Sequence, residues 1–392
     1  MEVRGKTIAL RVDINLPIDK KSKSVVINPR IRKHGETIKN LSNRGAKLIV
    51  LGHQGRKGDD DFLSLNSHGK LLEEITGKKI IFLSIENMNK VREEVKRMKD
   101  GEIILLENVR FVEEETKNPF EADFVNELAP LCDYFVLDAL SVAHRAHASV
   151  VGFSKHENVE SFVGNVLGGE IEALQKLEKS KSVVFIIGGS KVKESLEIME
   201  KWLKEGNAEK ILLGGAPAIL FLKVKLGNIG EENEKFLEES EALPLEKRAK
   251  ELLSKYSNKI EIPDDVVIEK NGKAIELQVS SAHEGAIKDI GHNTVERYVS
   301  VILKAKTIVM NGPVGVYEVP EFENGTKKIL EAIAKSKGFS VLGGGHTIGA
   351  VEKFEIREDN FGYISLSGKA FLAHLSGREL PGLVALKSKK SK

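Results

Sequence analysis

Four apolar runs in the first third of the chain each lead into residues suited to binding anions. Ile8–Val12 runs into Asp13 and Asn15, and Leu48–Leu51 into His53 and Arg56. Ile103–Leu106 runs into Glu107, Asn108 and Arg110, and Tyr134–Leu137 into Asp138, His144, Arg145 and His147. In an open parallel sheet the carboxyl ends of the strands line one crevice, and that crevice is where ligands bind. Arg30 joins the same rim, because Asn28-Pro29-Arg30 reads as a helix start with Asn as its cap and Pro in its first turn. Cations gathered on one rim repel one another unless an anion lies among them. The expected ligand of the first half is therefore small and highly charged, held by charge-assisted hydrogen bonds of roughly 1.5–3 kcal/mol each.

The second half carries a different chemistry. Val183–Ile187 leads into Gly188-Gly189-Ser190-Lys191, and Ile211–Leu213 into Gly214-Gly215-Ala216-Pro217. Thr307–Met310 leads into Asn311-Gly312-Pro313-Val314-Gly315, and Ser340–Leu342 into Gly343-Gly344-Gly345-His346-Thr347. Each reads as a strand, a glycine turn and a helix. Glycine lets backbone approach a ligand closely, and a helix N-terminus offers free N–H groups to phosphate. The series predicts a nucleotide cleft. None of the turns is a P-loop or a dinucleotide fingerprint. That disfavours a P-loop NTPase and leaves a nicotinamide oxidoreductase as a distant third reading. Val192, Leu196, Met199 and Leu203 recur at helical spacing and predict an amphipathic helix after Lys191.

Short β-rich runs alternating with helical segments place the chain in the α/β class with parallel sheets. At 392 residues it exceeds one ordinary core. The expectation is two doubly wound, Rossmann-like domains, 1–155 and 181–375, joined by a hinge helix within 156–180. The connecting helix is read over Ser161–Leu177, and residues 376–392 are expected to return to the first domain. Sixty Lys and Arg against 58 Asp and Glu leave a net charge of +2, which argues against a general nucleic-acid or membrane footprint. The tail from Lys387 to Lys392 reads as a solvated end. Cys132 is the only cysteine, so an intrachain disulfide and a thiol metal cluster are excluded, and it reads as a core residue. Ile211–Leu222 is broken by Gly214, Gly215 and Pro217 and is too short to span a bilayer. A cytoplasmic monomer acting on small molecules is expected. Glu113-Glu114-Glu115 reads as a solvated acidic run, and Asp264-Asp265 as a turn.

Seven segments carry a resemblance: Arg11-Val-Asp-Ile-Asn-Leu-Pro17, Gly52-His-Gln-Gly-Arg56, Leu105-Leu-Glu-Asn-Val-Arg-Phe111, Ala143-His-Arg-Ala-His-Ala-Ser149, Gly188-Gly-Ser-Lys-Val192, Asn311-Gly-Pro-Val-Gly-Val-Tyr-Glu318 and Gly343-Gly-Gly-His-Thr347. In type and order they resemble the phosphoglycerate kinase family over nearly the whole chain. The resemblance implies reversible phosphoryl transfer between Mg-ATP and the carboxylate of 3-phosphoglycerate, in glycolysis and gluconeogenesis. It implies that Asp13, Asn15, Arg30, His53, Arg56, Arg110 and Arg145 bind the phosphoglycerate. Lys191 would approach the transferring phosphate, and Glu318 would bind the ribose. Gly214, Gly215, Asn311, Pro313, Gly315 and Val316 would frame the nucleotide, with Gly344, Gly345, His346 and Thr347 by its phosphates. Arg30 and Lys191 would act together on closure of the domains.

Departures cluster on the nucleotide side. His346 stands where the family usually has an Asp that helps to hold magnesium, so no residue is assigned as a metal ligand. Ser195 stands where the family has a lysine, and Lys369 where it has a glycine. Lys369 is expected to supply the charge missing at Ser195. These departures motivate the alternative of a catalytically impaired regulatory protein that binds nucleotide or phosphoglycerate.

Overall fold

The structure is a computed structural model describing residues 2–19 and 24–387. The basic tail beyond Lys387 lies outside the described residues. The apolar runs become strands because their side chains are covered on both faces, which parallel sheets require. β1 (Thr7–Arg11), β2 (Lys47–Leu51), β3 (Ile80–Leu83), β4 (Ile103–Leu106), β5 (Tyr134–Leu137) and β6 (Glu160–Val163) form one parallel sheet in the order β3-β4-β2-β1-β5-β6. A second parallel sheet is built from β7 (Val183–Ile187), β8 (Ala208–Leu213), β9 (Ile260–Glu261), β13 (Thr307–Asn311), β14 (Phe339–Gly343) and β15 (Tyr363–Ile364), in the order β15-β14-β13-β7-β8-β9. Both are doubly wound. In the first, the chain reverses direction between β1 and β5, and in the second between β7 and β13.

A small antiparallel sheet, β11 (Lys273–Gln278), β10 (Asp265–Lys270) and β12 (Ala286–Ile290), belongs to the second half and has no counterpart among the described residues of the first. Asp265 begins β10 and is not in the expected turn. Its carboxylate accepts the N–H groups of Asn293 and Thr294, both at 2.8 Å, and so ties down the start of the helix His292–Lys304.

The chain divides into two units. One runs to Glu172 and resumes at Glu379; the other is Ala173–Arg378. The first division falls inside the helix Asn165–Lys179. That helix begins later than expected, because Ser161–Val163 pair with β5 as part of β6. Gly164 makes the break. Its N–H donates to Leu137 O at 2.8 Å, and a Cβ there would sit 2.2 Å from Asp138 Oδ1. The same Asp138 oxygen accepts Val166 N at 2.8 Å and starts the helix. The final helix, Pro381–Lys387, packs on the helices Leu140–Ala143 and Ala148–Val151. Gly382 permits this approach, since a Cβ would lie 3.0 Å from Ala143 Cα.

The rim helix Pro29–Asn43 starts as its sequence implies. Asn28 Oδ1 accepts from Arg30 N and Ile31 N, and Ile31, Ile38 and Leu41 are buried along one face. Val192–Lys204 is helical with Val192, Leu196, Met199 and Leu203 buried. Cys132 is a core residue, and burial pushes its thiol pKa up to about 12.

Buried polar groups anchor the loop after β2. Gln54 bonds both Leu16 N (2.8 Å) and Leu16 O (3.0 Å), and its Oε1 also takes the Nε2–H of His68 at 3.1 Å. Burial lowers the His68 pKa to about 4. A folded-state pKa below the unfolded value means that the native state holds fewer protons, so stability is lost as pH falls. Between pH 6.5 and about 4 the first unit is expected to lose up to about 3 kcal/mol. Native-state hydrogen exchange at β1 and β2 measures this, and His68→Leu should flatten the dependence.

Candidate functional site

The rim forms where β1, β2, β4 and β5 end. Asp13 follows β1, and its carboxylate pairs with Arg30 Nε at 3.2 Å and accepts Asn15 N at 3.1 Å. Arg30 also donates to Asn15 O at 2.9 Å, and Asn15 Oδ1 accepts Gly55 N at 2.8 Å. Burial alone would raise the Asp13 pKa. Arg30 foremost outweighs it and holds the carboxyl well below the usual carboxylate range. Arg56, Arg110 and Arg145 line one cavity of about 610 Å³ together with Lys57, Lys117 and His147. Burial and then the neighbouring guanidiniums of Arg11 and Arg145 depress Arg110 to about pKa 10. Burial and Arg56 lower Arg145 as well. An arginine with a depressed pKa marks positive charge in excess of its local compensation, which is the field that a polyanion would satisfy.

Behind this rim lies a layer that the motif reading left without a role. Arg11, at the end of β1, is fully buried. It donates from Nε to Ser149 Oγ at 2.8 Å, from Nη1 to Val12 O, and from Nη2 to His53 Nδ1 at 3.2 Å. A guanidinium has no acceptor, so His53 Nδ1 must accept. His53 is therefore neutral, with its proton on Nε2. Burial, Arg11 and Arg110 push its pKa well below the usual imidazole value, which agrees with that state.

Glu115 faces the same layer. It was expected in a solvated run, yet it is fully buried, while Glu113 beside it is exposed and pairs with Lys57 and Lys117. The reason is the helical turn Glu114–Lys117, which rotates Glu115 inward onto Ser149.

In the second unit the glycine turns pack first against one another. A Cβ on Gly188 would lie 2.1 Å from Pro313 O, one on Gly214 would lie 2.5 Å from Val314 Cα, and one on Gly312 would lie 2.5 Å from Gly188 backbone. Gly215, Gly312 and Gly344 also have positive φ (52°, 84° and 93°), which favours glycine. Thr347, expected beside phosphates, is buried and accepts Gly312 N at 2.9 Å, joining the turns after β13 and β14. Gly345 is different: a Cβ there meets open space. Asn311 Oδ1 is buried without a hydrogen-bond partner among the described residues.

Beside the turns, Gly215, Pro313, Gly315, Val316, Glu318 and His346 line a second pocket. Sequence reasoning missed its apolar wall. Ala218, Ile219 and Leu222 contribute from the helix Gly215–Leu226, Phe236 from Glu231–Glu239, and Ile287 from β12. The signal was the apolar run to Leu222, weighed only as a membrane segment. Such a slot, with few polar groups, suits a planar heterocycle.

Asp289 forms part of the pocket floor. It accepts Gly325 N at 2.6 Å and Ile290 N at 2.9 Å, and burial raises its pKa to about 7. Gly315 has to be glycine here, since a Cβ would fall 2.1 Å from Asp289 Oδ1. His346 Nδ1 lies 3.3 Å from Glu318 Oε1. Ser195 is buried and donates to Lys191 O at 2.9 Å, so it holds the Lys191 backbone. Lys191 and Lys369 are exposed and pair with no carboxylate among the described residues.

Two doubly wound units, one rimmed by cations and the other by glycine turns and an apolar slot, define an α/β protein of two Rossmann-like units, each with a pocket of its own. A family model described as phosphoglycerate kinase matches residues 1–378. The phosphoglycerate kinase of Methanothermobacter thermautotrophicus is 39% identical over 98% of this chain and 95% of its own length, and that of Sulfurisphaera tokodaii is 38% identical over 98% and 94%. The crystal structure of phosphoglycerate kinase from Pyrococcus horikoshii OT3 matches with a TM-score of 0.91 at 33% identity, covering 100% of this chain and 98% of that one. The chain belongs to the phosphoglycerate kinase family.

The packing of the turns separates two kinds of glycine. Gly312→Ala, strained in φ and against backbone, should lower the stability of the second unit by at least about 2 kcal/mol. Gly345→Ala should leave stability within about 0.5 kcal/mol while raising the nucleotide KM. Thermal melts and steady-state kinetics of the two variants check both.

Proposed function

We propose that the protein reversibly transfers a phosphoryl group between ATP and the carboxylate of 3-phosphoglycerate, giving ADP and 1,3-bisphosphoglycerate, as a cytoplasmic enzyme of glycolysis and gluconeogenesis. The observation that carries the substrate is the convergence of Arg56, Arg110 and Arg145 on one cavity, where burial and neighbouring guanidiniums lower the pKa values of Arg110 and Arg145. Membership of the family supports the reaction. No helix among the described residues is long and apolar enough to cross a membrane. In this reading Asp13 and Asn15 fix Arg30, and the arginines with the Nε2–H of His53 take the phosphate and carboxylate oxygens.

A carboxylate is already a nucleophile, so the transfer needs no general base. Alignment and neutralisation of charge on the moving group do the work. Lys191 is assigned to that group, on a backbone held by Ser195, with Lys369 as a second cation at the start of the helix Gly368–Leu375. The helix Asn165–Lys179 is assigned as the hinge whose bending brings the two ligands in line. The nucleotide base occupies the apolar slot and the ribose meets Glu318.

Magnesium is written here as part of the nucleotide substrate. Among the described residues no three His, Cys, Asp or Glu side chains converge as a metal set, and His346 pairs with Glu318. Neutral imidazole is a poor magnesium ligand, so the ion is held by phosphate oxygens and water. Nothing in either site favours the impaired regulatory reading.

A coupled assay with ATP, magnesium and 3-phosphoglycerate tests the proposal, and absence of turnover would end it. Arg145→Ala should raise the phosphoglycerate KM by about tenfold or more while leaving the ATP KM within about twofold. Lys191→Ala should lower kcat by about 100-fold with little change in phosphoglycerate affinity. Lys369→Ala should also lower kcat.

A further inference from the structure

The Glu115 carboxylate makes three contacts, and each leads to the cationic rim. Its Oε2 accepts Ser149 N at 2.8 Å, and its Oε1 accepts Ser149 Oγ at 2.7 Å. Ser149 Oγ in turn accepts Arg11 Nε at 2.8 Å. His147 Nδ1 lies 3.5 Å from Glu115 Oε1. Glu115, Ser149 and Arg11 all have no exposed surface, so the carboxylate serves neither solvent nor substrate directly. A buried guanidinium without a carboxylate partner is strongly unfavourable. Arg11 finds that partner in Glu115 through the Ser149 hydroxyl, with Asp13 as the other carboxylate acting on it. Arg11 then spends another N–H on His53 Nδ1, which fixes that ring's tautomer.

We infer that Glu115 is a positioning residue for the phosphoglycerate rim: through Ser149 and Arg11 it keeps the His53 proton on Nε2, where a substrate oxygen can accept it. The inference rests on the reading that this rim binds 3-phosphoglycerate. Three elements distant in sequence supply the relay, namely β1, the turn Glu114–Lys117 and the helix Ala148–Val151. With Glu115 neutral, Arg11 is left with Asp13 alone and turns from the ring toward the nearest anion or water. His53 then samples both tautomers. The nucleotide pocket lies in the other unit and shares none of these residues.

Glu115→Gln keeps the shape and removes the charge. It is expected to raise the 3-phosphoglycerate KM about tenfold, with the ATP KM within twofold of the unaltered protein. In long-range 1H–15N spectra the His53 signal, identified by its loss in His53→Gln, should show a bare Nδ1 and a protonated Nε2 in the unaltered protein. In Glu115→Gln the two nitrogen shifts should move toward each other. Ser149→Ala, which breaks the relay while keeping both charges, should shift the same two readouts by a smaller amount. It carries the test should a thermal melt show Glu115→Gln unfolded. Unchanged phosphoglycerate KM and an unchanged His53 pattern would overturn the inference, as would equal rises in both KM values. The His53 signal decides the coupling without substrate. Failure of the rim reading, seen as no turnover by the unaltered protein, is thereby told apart from failure of this one.

Discussion

A cluster of arginines on one sheet edge is stable only if something behind it carries the opposite charge. In the first unit that task falls to two buried carboxylates, Asp13 and Glu115. Asp13 takes Arg30, and Glu115 takes Arg11 through Ser149. Neither lines the cavity formed by Arg56, Arg110 and Arg145, whose charge is left in excess. The division is functional in its physics. Compensated cations are held rigidly and shape the site, while uncompensated ones keep their attraction for an incoming anion. His53 sits at the junction, neutral because burial and its arginine neighbours disfavour a further proton.

The two units share a doubly wound plan and solve the ligand problem differently. Each places its site at the point where the chain reverses direction, beside β1 and β5 in one unit and beside β7 and β13 in the other. In the first, long side chains cross the distance to the ligand. In the second, the turns after β7, β8 and β13 press so closely together that side chains are excluded, and they bond one another through backbone, Gly189 N to Pro313 O at 2.8 Å and Gly215 N to Val314 O at 3.0 Å. Glycine there answers first to the packing of turn on turn. Only a position such as Gly345, open to space, is free to answer to the nucleotide alone.

Divergence on the nucleotide side leaves this second plan intact. His346 faces Glu318, Ser195 turns inward onto the Lys191 carbonyl, and Lys369 adds an exposed cation at a helix start.

The sequence by itself determined the strands, the class and the rim. Apolar runs of strand length, alternating with helical periods, dictate parallel sheets because both faces must be covered. Polar residues just past those runs then fall on one edge, as Asp13, His53, Arg110 and Arg145 do. The cap at Asn28 and the helix after Lys191 were readable for the same reason: the controlling bonds are local. Tertiary structure alone decided which charges are buried and with whom. Glu113 and Glu115 are alike in type and two residues apart, yet one is solvated and the other lies under the rim, because Ser149, 34 residues on, meets only the second. Likewise β6, the small antiparallel sheet, the Asp289 floor and the apolar slot depend on partners remote in the chain. Local spacing carries no information about such partners; packing does.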